Sequence, residues 1–318
     1  MTGGGGFIGS HLVERLVELG AQTRVLAHYN SNGRWGWLDA SHVKHDIEVI
    51  LGDVCDSDVV HRAASGADTV FHLAALIGIP YSYDAPYSYA RTNIEGTLNV
   101  LQACLKQGVQ RVVHTSTSEV YGTARAIPIS ETHPLQAQSP YSATKIGADK
   151  MAECFYASFQ LPVTTVRPFN TFGPRQSARA VIPTIVTQAL TRPEIRLGSL
   201  TPTRDLNFVT NTVDGFILAA ESSDAIGKVI NIGSGVEVSI GHLADKIVDL
   251  IGKEIPIICD KQRVRPQDSE VDRLCADNSL AKRMLAWQPR VSLEEGLVCT
   301  IEWLRKNLHI YRVGVYAV

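Results

Sequence analysis

Residues 3–17 read G-G-G-G-F-I-G-S-H-L-V-E-R-L-V, a glycine-rich loop that runs directly into an apolar helical segment. Gly3, Gly6 and Gly9 have the spacing G-x-x-G-x-x-G, in which glycine permits a tight turn and lets backbone N–H groups approach a pyrophosphate. The N-terminus of the following helix favours that negative charge. A glycine-rich loop alone is a weak signal, because a flexible chain start has the same composition. It indicates a dinucleotide site only if a parallel sheet follows.

The next segments predict such a sheet. Short β-rich runs lie at 23–27, 47–51, 68–73 and 111–116, and segments 10–19 and 93–107 have apolar residues at helical spacing. This βαβ alternation predicts an α/β fold, a Rossmann-like doubly wound parallel sheet. The alternation changes after Arg167. We predict a dinucleotide-binding domain over 1–168, to which 206–232 return, and a smaller C-terminal substrate-binding lobe within 169–318.

The strand that should precede the glycine-rich loop is missing from this sequence, which reaches Gly3 two residues after Met1. In a doubly wound sheet that strand lies near the middle. We therefore expect the chain to be truncated, through a misplaced start. Intact-mass analysis of protein made from the native locus should give a larger mass than a chain that starts at Met1, and a mass that matches Met1 would refute the expectation.

The remainder of the dinucleotide site is predicted from the ends of the later strands. Asp53 and Val54 follow the run 47–51, where an adenine ring is usually held, and H-L-A-A occupies 72–75. Each could be ordinary turn chemistry. The end of the run 23–27 lacks the carboxylate that binds a ribose 2′-OH, and His28 stands there instead. The predicted cofactor residues are Gly3, Gly6, Phe7, Ile8, Gly9, His28, Asp53, Val54, Leu73, Ala74, Ala75, Tyr141 and Lys145.

Composition excludes several classes of protein. With a net charge of −2 the chain lacks the basic surface that nucleic acid or an anionic membrane would require. It has no stretch of 18 apolar residues that would span a bilayer. The six cysteines form no C-x-x-C pair, so we predict that they are reduced, that the protein is cytoplasmic, and that it has no metal site.

Two motifs carry the predicted chemistry. Y-S-A-T-K at 141–145 puts Tyr141 and Lys145 on one helix face, where the ammonium should lower the pKa of the phenol. Alone, such a pair is common on surface helices. It gains weight because S-T-S-E-V-Y-G at 116–122 follows a predicted central strand, whose end should face the cofactor crevice.

The whole chain resembles the extended short-chain dehydrogenase/reductases that act on nucleotide sugars. The segments R-P-F-N-T-F-G-P-R at 167–175 and T-R-D-L-N-F-V-T at 203–210 are similar to those of sugar nucleotide 4,6-dehydratases. Further segments at 28–31, 72–83 and 173–184 resemble the N-acetylglucosamine nucleotide dehydratases of legionaminic acid biosynthesis. These read H-Y-N-S, H-L-A-A-L-I-G-I-P-Y-S-Y and G-P-R-Q-S-A-R-A-V-I-P-T.

The resemblance implies a role for each catalytic candidate. Tyr141 would take the O4 proton during oxidation at C4, Lys145 would hold the ribose, and Thr117 would hydrogen-bond O4. Glu119 would be the base at C5. Ser118, where dTDP-glucose dehydratases have an aspartate, would only orient Glu119, which would itself pass the proton to the leaving C6 hydroxyl.

The resemblance also implies the remaining partners. The cofactor would be NAD, with NADP still open, and Asn170, Arg204 and Arg265 would hold the diphosphate of a uridine or guanosine sugar nucleotide. Helices near 93–107 and 141–159 would form a homodimer interface. Asn211 departs from the family pattern, which usually has an aspartate there.

Three other functions stay open. A UDP-glucuronate decarboxylase shares the T-S-E motif but needs a cation for the substrate carboxylate. A 4-epimerase needs no carboxylate at Glu119. A non-catalytic NAD(P)-binding regulator could use the same fold, although the intact Thr117, Tyr141 and Lys145 speak against it.

Overall fold

Helices and strands alternate along the first half of the chain, as the sequence predicts. The computed structural model describes residues 1–264 and 266–311. The strands are β1 (Thr23–His28), β2 (Ile47–Gly52), β3 (Thr69–His72), β4 (Arg111–Thr115), β5 (Val163–Pro168), β6 (Asn170–Phe172), β7 (Ile195–Leu197), β8 (Thr203–Phe208), β9 (Val229–Ile232), β10 (Glu237–Ser239), β11 (Ile257–Cys259) and β12 (Arg273–Leu274).

The helices are α1 (Phe7–Glu18), α2 (Ser57–Ala64), α3 (Ile79–Asp84), α4 (Pro86–Tyr89), α5 (Gly96–Gln107), α6 (Pro140–Phe159), α7 (Val181–Thr191), α8 (Val209–Glu221), α9 (Ile240–Ile251), α10 (Ser279–Leu285) and α11 (Leu293–Lys306). A π-helical segment, Ala90–Glu95, joins α4 to α5. The prediction for 93–107 therefore ran three residues into a different helix type.

The main sheet is parallel and confirms the predicted Rossmann-like fold. β2 pairs with β1, and β3, β4, β5 and β9 pair in that order. Thr2 forms a parallel bridge to Leu26 of β1 on one side and to His72 of β3 on the other, so it connects the two halves of the sheet. The carboxyl ends of all these strands face one edge, where α/β folds bind ligands.

Apolar side chains cover the two faces of this sheet. On one face, Val100 of α5 and Phe155 of α6 pack with Val112 and Val163 of the strands. On the other face, Leu12 of α1 and Phe216 of α8 join the larger cluster that extends under the C-terminal half. Both faces are buried, so Val, Phe and Ile occur on both sides of the central strands, together with buried Thr, His and Arg side chains.

The C-terminal half builds two smaller sheets beside the first. β8 pairs with β6, β10 and β12, and β7 pairs with β11. β8 then runs directly into α8, which packs on β4 and β5 of the main sheet, and β9 becomes the last strand of that sheet. The division into a domain over 1–168 and a lobe over 169–318 stays a prediction.

Two general expectations also bear on the fold. No helix within 1–264 or 266–311 is long and apolar enough to cross a bilayer. The six cysteines are free thiols, and Cys154, Cys259 and Cys299 are exposed.

Asn211 has a structural reason to differ from aspartate. It is buried in α8, where its Oδ1 accepts hydrogen bonds from the backbone N–H of Arg290 (2.9 Å) and Val291 (3.0 Å). Its Nδ2 donates to the carbonyl of Val291 (2.8 Å) and to Asn207 Oδ1 (3.2 Å). A carboxylate could replace the acceptor but not the donor.

We expect Asn211→Asp to lower the free energy of unfolding by about 1–3 kcal/mol, because a buried carboxylate would face two acceptors without a proton to donate. Urea unfolding measures this loss. Asn32→Asp, at an exposed position, makes the same charge change as a control. Equal unfolding midpoints for the two variants would show that the Asn211 donor contributes nothing.

Candidate active site

A cleft of ≈ 990 Å³ lies along the carboxyl ends of the main strands and reaches β6, β8 and the start of α7. Every predicted site residue that the structure describes lines this one cleft. They are Gly3, Gly6, Phe7, Ile8, Gly9, His28, Asp53, Val54, Leu73, Ala74, Ala75, Thr117, Ser118, Glu119, Tyr141, Lys145, Asn170 and Arg204. Arg265 lies outside the described residues.

The glycine-rich loop is packed as a cradle for a ligand. Gly3 has φ +71°, and a Cβ there would lie 2.7 Å from the backbone nitrogen of Ala74. A Cβ at Gly9 would lie 2.2 Å from the carbonyl oxygen of Gly3. Gly6 caps α1 without any side-chain hydrogen bond, so the first N–H groups of the helix keep their capacity for an anion. These features fit a pyrophosphate.

Asp53, the residue after β2, brings a carboxylate to the end of β1, which has none of its own. Asp53 Oδ2 lies 3.8 Å from Nδ1 of His28, the last residue of β1. Its other oxygen accepts a hydrogen bond from the backbone N–H of Cys55 at 2.9 Å. Asn30, which also lines this end of the cleft, uses its side chain to hold the backbone of Arg34. Asp53 therefore places a carboxylate beside His28 at this end of the cleft.

The predicted catalytic hydroxyls meet across the cleft. Thr117 lies two residues after β4. Its hydroxyl is hydrogen-bonded to the phenol of Tyr141, which stands in the first turn of α6. The helix begins at a capping box formed by Ser139 and Ser142. Ser118, the residue after Thr117, is buried, whereas Glu119 is half-buried and its negative charge acts on the Tyr141 phenol.

The pKa of Tyr141 differs from the expectation. Burial raises the pKa of the phenol, the Glu119 carboxylate raises it further, and the Thr117 hydrogen bond only partly opposes them. Burial also lowers the pKa of Lys145 to about 8, against the opposing charge of Asp149. The Lys145 ammonium donates to the carbonyl of Thr115 at 2.6 Å. Proximity in sequence to Lys145 therefore does not lower the pKa of Tyr141 in the protein alone.

A buried carboxylate ties the catalytic elements together. Asp149, one turn after Lys145 in α6, accepts two hydrogen bonds from Arg167 of β5 (2.9 and 3.2 Å). It also accepts one from Ser116 (2.7 Å) and contacts His114 Nε2 of β4 at 3.1 Å. Arg167 in turn donates to the hydroxyl of Tyr121 at 2.9 Å. These donors hold the pKa of Asp149 at about 2 despite its burial.

The opposite wall carries the predicted substrate residues. The Oδ1 atom of Asn170 is buried without a hydrogen-bond partner among the described residues, as expected of an atom that awaits a ligand. Arg204 forms an ion pair with Glu270 (3.1 Å) and donates to the carbonyl of Thr203. Next to it, Asp205 is buried and accepts backbone hydrogen bonds from Ser234, Gly235 and Ala276, which fixes the strand that presents Arg204.

No group of three His, Cys, Asp or Glu side chains in the described part of the chain is placed to hold a metal ion. The polar groups of the cleft include hydroxyls, amides, single carboxylates, guanidinium groups, the Lys145 ammonium and the His28 imidazole.

Comparison with known proteins agrees with this geometry. The family model described as GDP-mannose 4,6 dehydratase matches residues 1–300. The chain belongs to the GDP-mannose 4,6-dehydratase family. Members of this family that resemble the chain act on sugar nucleotides in more than one way.

Two curated relatives are 34% identical to the chain. One is a UDP-glucose 4-epimerase from Mycolicibacterium smegmatis, matched over 96% of this chain and 98% of the relative. The other is a UDP-N-acetyl-alpha-D-glucosaminuronate decarboxylase from Bacillus cytotoxicus, matched over 96% and 97%. A crystal structure of the dTDP-glucose 4,6-dehydratase DesIV from Streptomyces venezuelae, with NAD and TYD bound, has a TM-score of 0.87 at 30% identity and covers 98% of both chains.

The sequence did not reveal several residues that line or support the cleft. Gln176 lines the cleft with its Oε1 buried and without a hydrogen-bond partner in the described part of the chain. Arg179, three residues later, also lines it. Both stand in the quoted segment 173–184, but nothing in their spacing marks a binding residue. Asp149 repeats the helical period of Tyr141 and Lys145, which was a usable signal.

We expect Asp149→Asn to lower the free energy of unfolding by about 3–5 kcal/mol, because it leaves the Arg167 guanidinium buried without a counter-charge. Urea unfolding at neutral pH measures this. Ser116→Ala, which removes one hydrogen bond but keeps the ion pair, should cost about 1 kcal/mol.

The stability difference between wild type and Asp149→Asn should depend on pH. The folded-state pKa of Asp149, about 2, lies below its ordinary value of 3.8. The carboxylate therefore stabilises the fold above pH 3.8, and this contribution is lost as the pH falls through about 2. The stability gap between wild type and Asp149→Asn should narrow over that window. A gap that stays constant would contradict a role for the charge.

Proposed function

We propose that this protein is an NAD-dependent sugar nucleotide 4,6-dehydratase acting on a UDP- or GDP-linked N-acetylglucosamine or related hexose. The observation that carries the proposal is that Glu119 lines the same cleft as Tyr141 and that its charge acts on the Tyr141 phenol, to which the Thr117 hydroxyl is hydrogen-bonded. The phenol can then remove the O4 proton, while a separate carboxylate removes the C5 proton. Legionaminic acid biosynthesis, suggested by the resemblance, is the pathway we propose to test first.

The cleft is suited to NAD. The Gly3–Gly9 loop and the uncapped start of α1 would hold the pyrophosphate. The Asp53 carboxylate would accept a hydrogen bond from a hydroxyl of the adenosine ribose. A second negative charge, as in NADP, would lie close to this carboxylate. When bound, NAD supplies the hydride acceptor and a positive charge that favours the Tyr141 phenolate.

The chain's own residues then divide the proton transfers. Tyr141 takes the O4 proton as C4 is oxidised, and Thr117 orients O4 through its hydroxyl. Lys145 is buried and charged below about pH 8, and its ammonium would hold a ribose hydroxyl of the bound cofactor. The 4-ketone acidifies the C5 proton.

Glu119 completes the elimination. Its carboxylate takes the C5 proton and, with Ser118 beside it, passes that proton to the C6 hydroxyl, which leaves as water. Reduction at C6 and protonation at C5 restore the starting cofactor, so the overall change is the loss of one water. Half-burial leaves Glu119 accessible to the sugar, while Ser118 cannot serve as an acid at neutral pH.

We also expect the protein to be a homodimer formed through α5 and α6. Leu105 of α5 and Met151 and Phe159 of α6 are exposed apolar side chains on these helices and support this expectation.

Incubation with UDP- and GDP-linked N-acetylglucosamine and glucose, and with UDP-glucuronate, should give loss of water from a hexose, read by mass spectrometry. Loss of carbon dioxide from the uronate would make the protein a decarboxylase. An epimerised product without a mass change would make it an epimerase.

We expect Glu119→Gln to keep oxidation at C4 but to slow water loss by about 10²–10⁴-fold, the range typical of a general acid–base group. Reduced nicotinamide, seen by its near-ultraviolet absorbance, should therefore accumulate. Tyr141→Phe is the matched control, in which neither reduced nicotinamide nor product should form. Normal dehydration by Glu119→Gln would exclude Glu119 as the base.

A further inference from the structure

Arg179 reaches across the cleft to the wall opposite its own loop. It lies between β6 and α7, yet a Cβ placed on Gly78, in the loop after β3, would lie 2.3 Å from its Nη1 atom. Gly78 and Arg179 both line the cleft. Because glycine has no side chain, the guanidinium can lie directly against the backbone of this loop.

This position is next to the catalytic phenol. The same Cβ position on Gly78 lies 3.4 Å from the hydroxyl of Tyr89, which donates to the Gly78 carbonyl at 2.5 Å. The Tyr89 ring packs edge-on against the ring of Tyr141, with centroids 6.3 Å apart. The guanidinium of Arg179 therefore stands at the end of the cleft where the hexose must be placed for Tyr141 to reach O4.

The guanidinium has donors to spare. Its Nε makes a long hydrogen bond of 3.4 Å to Ser177 of the same loop. No side chain within 1–264 or 266–311 forms an ion pair with it, and none accepts a hydrogen bond from its Nη atoms. Arg175, four residues earlier, differs, because Glu14 holds it with two hydrogen bonds (2.8 and 3.0 Å). Arg179 is thus an exposed cation at the sugar end of the cleft whose Nη donors have no protein acceptor among the described residues.

We propose that Arg179 determines specificity by binding an acyl oxygen carried by the hexose, and that this oxygen belongs to a 2-acylamino group. A guanidinium presents a planar pair of N–H donors that suits a planar acyl oxygen better than a rotating hydroxyl. A hexose without such an oxygen would leave these exposed donors to water and gain no affinity from Arg179.

The choice of the 2-acylamino group rests on the proposed function. A 4,6-dehydratase needs a hydroxyl at C6 as the leaving group, so C6 cannot carry the acyl oxygen. A C6 carboxylate, the partner that a uronate-specific enzyme would require, offers the same planar oxygen chemistry. The experiment therefore includes a uronate.

Binding can be measured apart from turnover. We would use full-length, NAD-loaded protein that carries Tyr141→Phe to prevent reaction. Calorimetry would then measure its affinity for the UDP- and GDP-linked forms of N-acetylglucosamine, glucose and glucuronate. Adding Arg179→Gln should weaken binding of the N-acetylglucosamine nucleotide about 10–100-fold and leave that of the glucose nucleotide unchanged. Arg179→Lys should give an intermediate loss, since it keeps the charge without the paired donors.

Arg196→Gln is the matched control, since Arg196 is an exposed arginine paired with Glu194 outside the cleft, and it should change no affinity. An equal loss of affinity for the nucleotides of all three sugars would overturn the proposal and assign Arg179 to the shared diphosphate. A selective loss for the glucuronate nucleotide would overturn it in favour of a uronate. If the proposed dehydration is wrong, the product assay with wild-type protein shows that separately, because these affinities do not depend on turnover.

Discussion

The buried Asp149 carboxylate is the interaction on which the active-site geometry depends. Parallel strands of the sheet fix where β4 and β5 end, but they do not fix the distance from those ends to a helix that packs on the sheet's face. Asp149 supplies that link, because it is bonded at once to β4 through Ser116 and His114 and to β5 through Arg167. Lys145 and Tyr141 stand on the same helix one and two turns earlier, so this anchor helps to fix where they lie relative to Thr117.

Local sequence patterns predicted much of the framework. The strand runs at 23–27 and 47–51 agree with β1 and β2 to within one residue, since both alternate with helices whose apolar faces are easy to recognise. The glycine-rich loop, the Tyr141–Lys145 pair and Glu119 all fall in one cleft. These features share a short stretch of chain or a known strand end, so spacing is enough to place them.

What spacing could not predict depends on contacts between distant segments. Arg167 was read only as the start of a motif, because its partner lies in a helix 18 residues earlier. The raised pKa of Tyr141 comes chiefly from its burial, which no local pattern reports. Arg204 was predicted as a diphosphate ligand, but its ion pair with Glu270 joins residues 66 positions apart. Asn211 looked like a departure from a pattern until its donor to the Val291 carbonyl explained it.

The path of the chain between the main sheet and the sheet of β8 limits how such an enzyme can change. The chain passes from β5 to β6, returns from β8 to α8, and leaves again from β9 to β10. The chain therefore crosses several times between the wall that faces the sugar and the sheet that holds the catalytic groups. That wall cannot be replaced as one continuous segment. New specificity must arise by point substitutions in the loops that border the cleft. Relatives of equal identity with different reactions are what such a fold should produce.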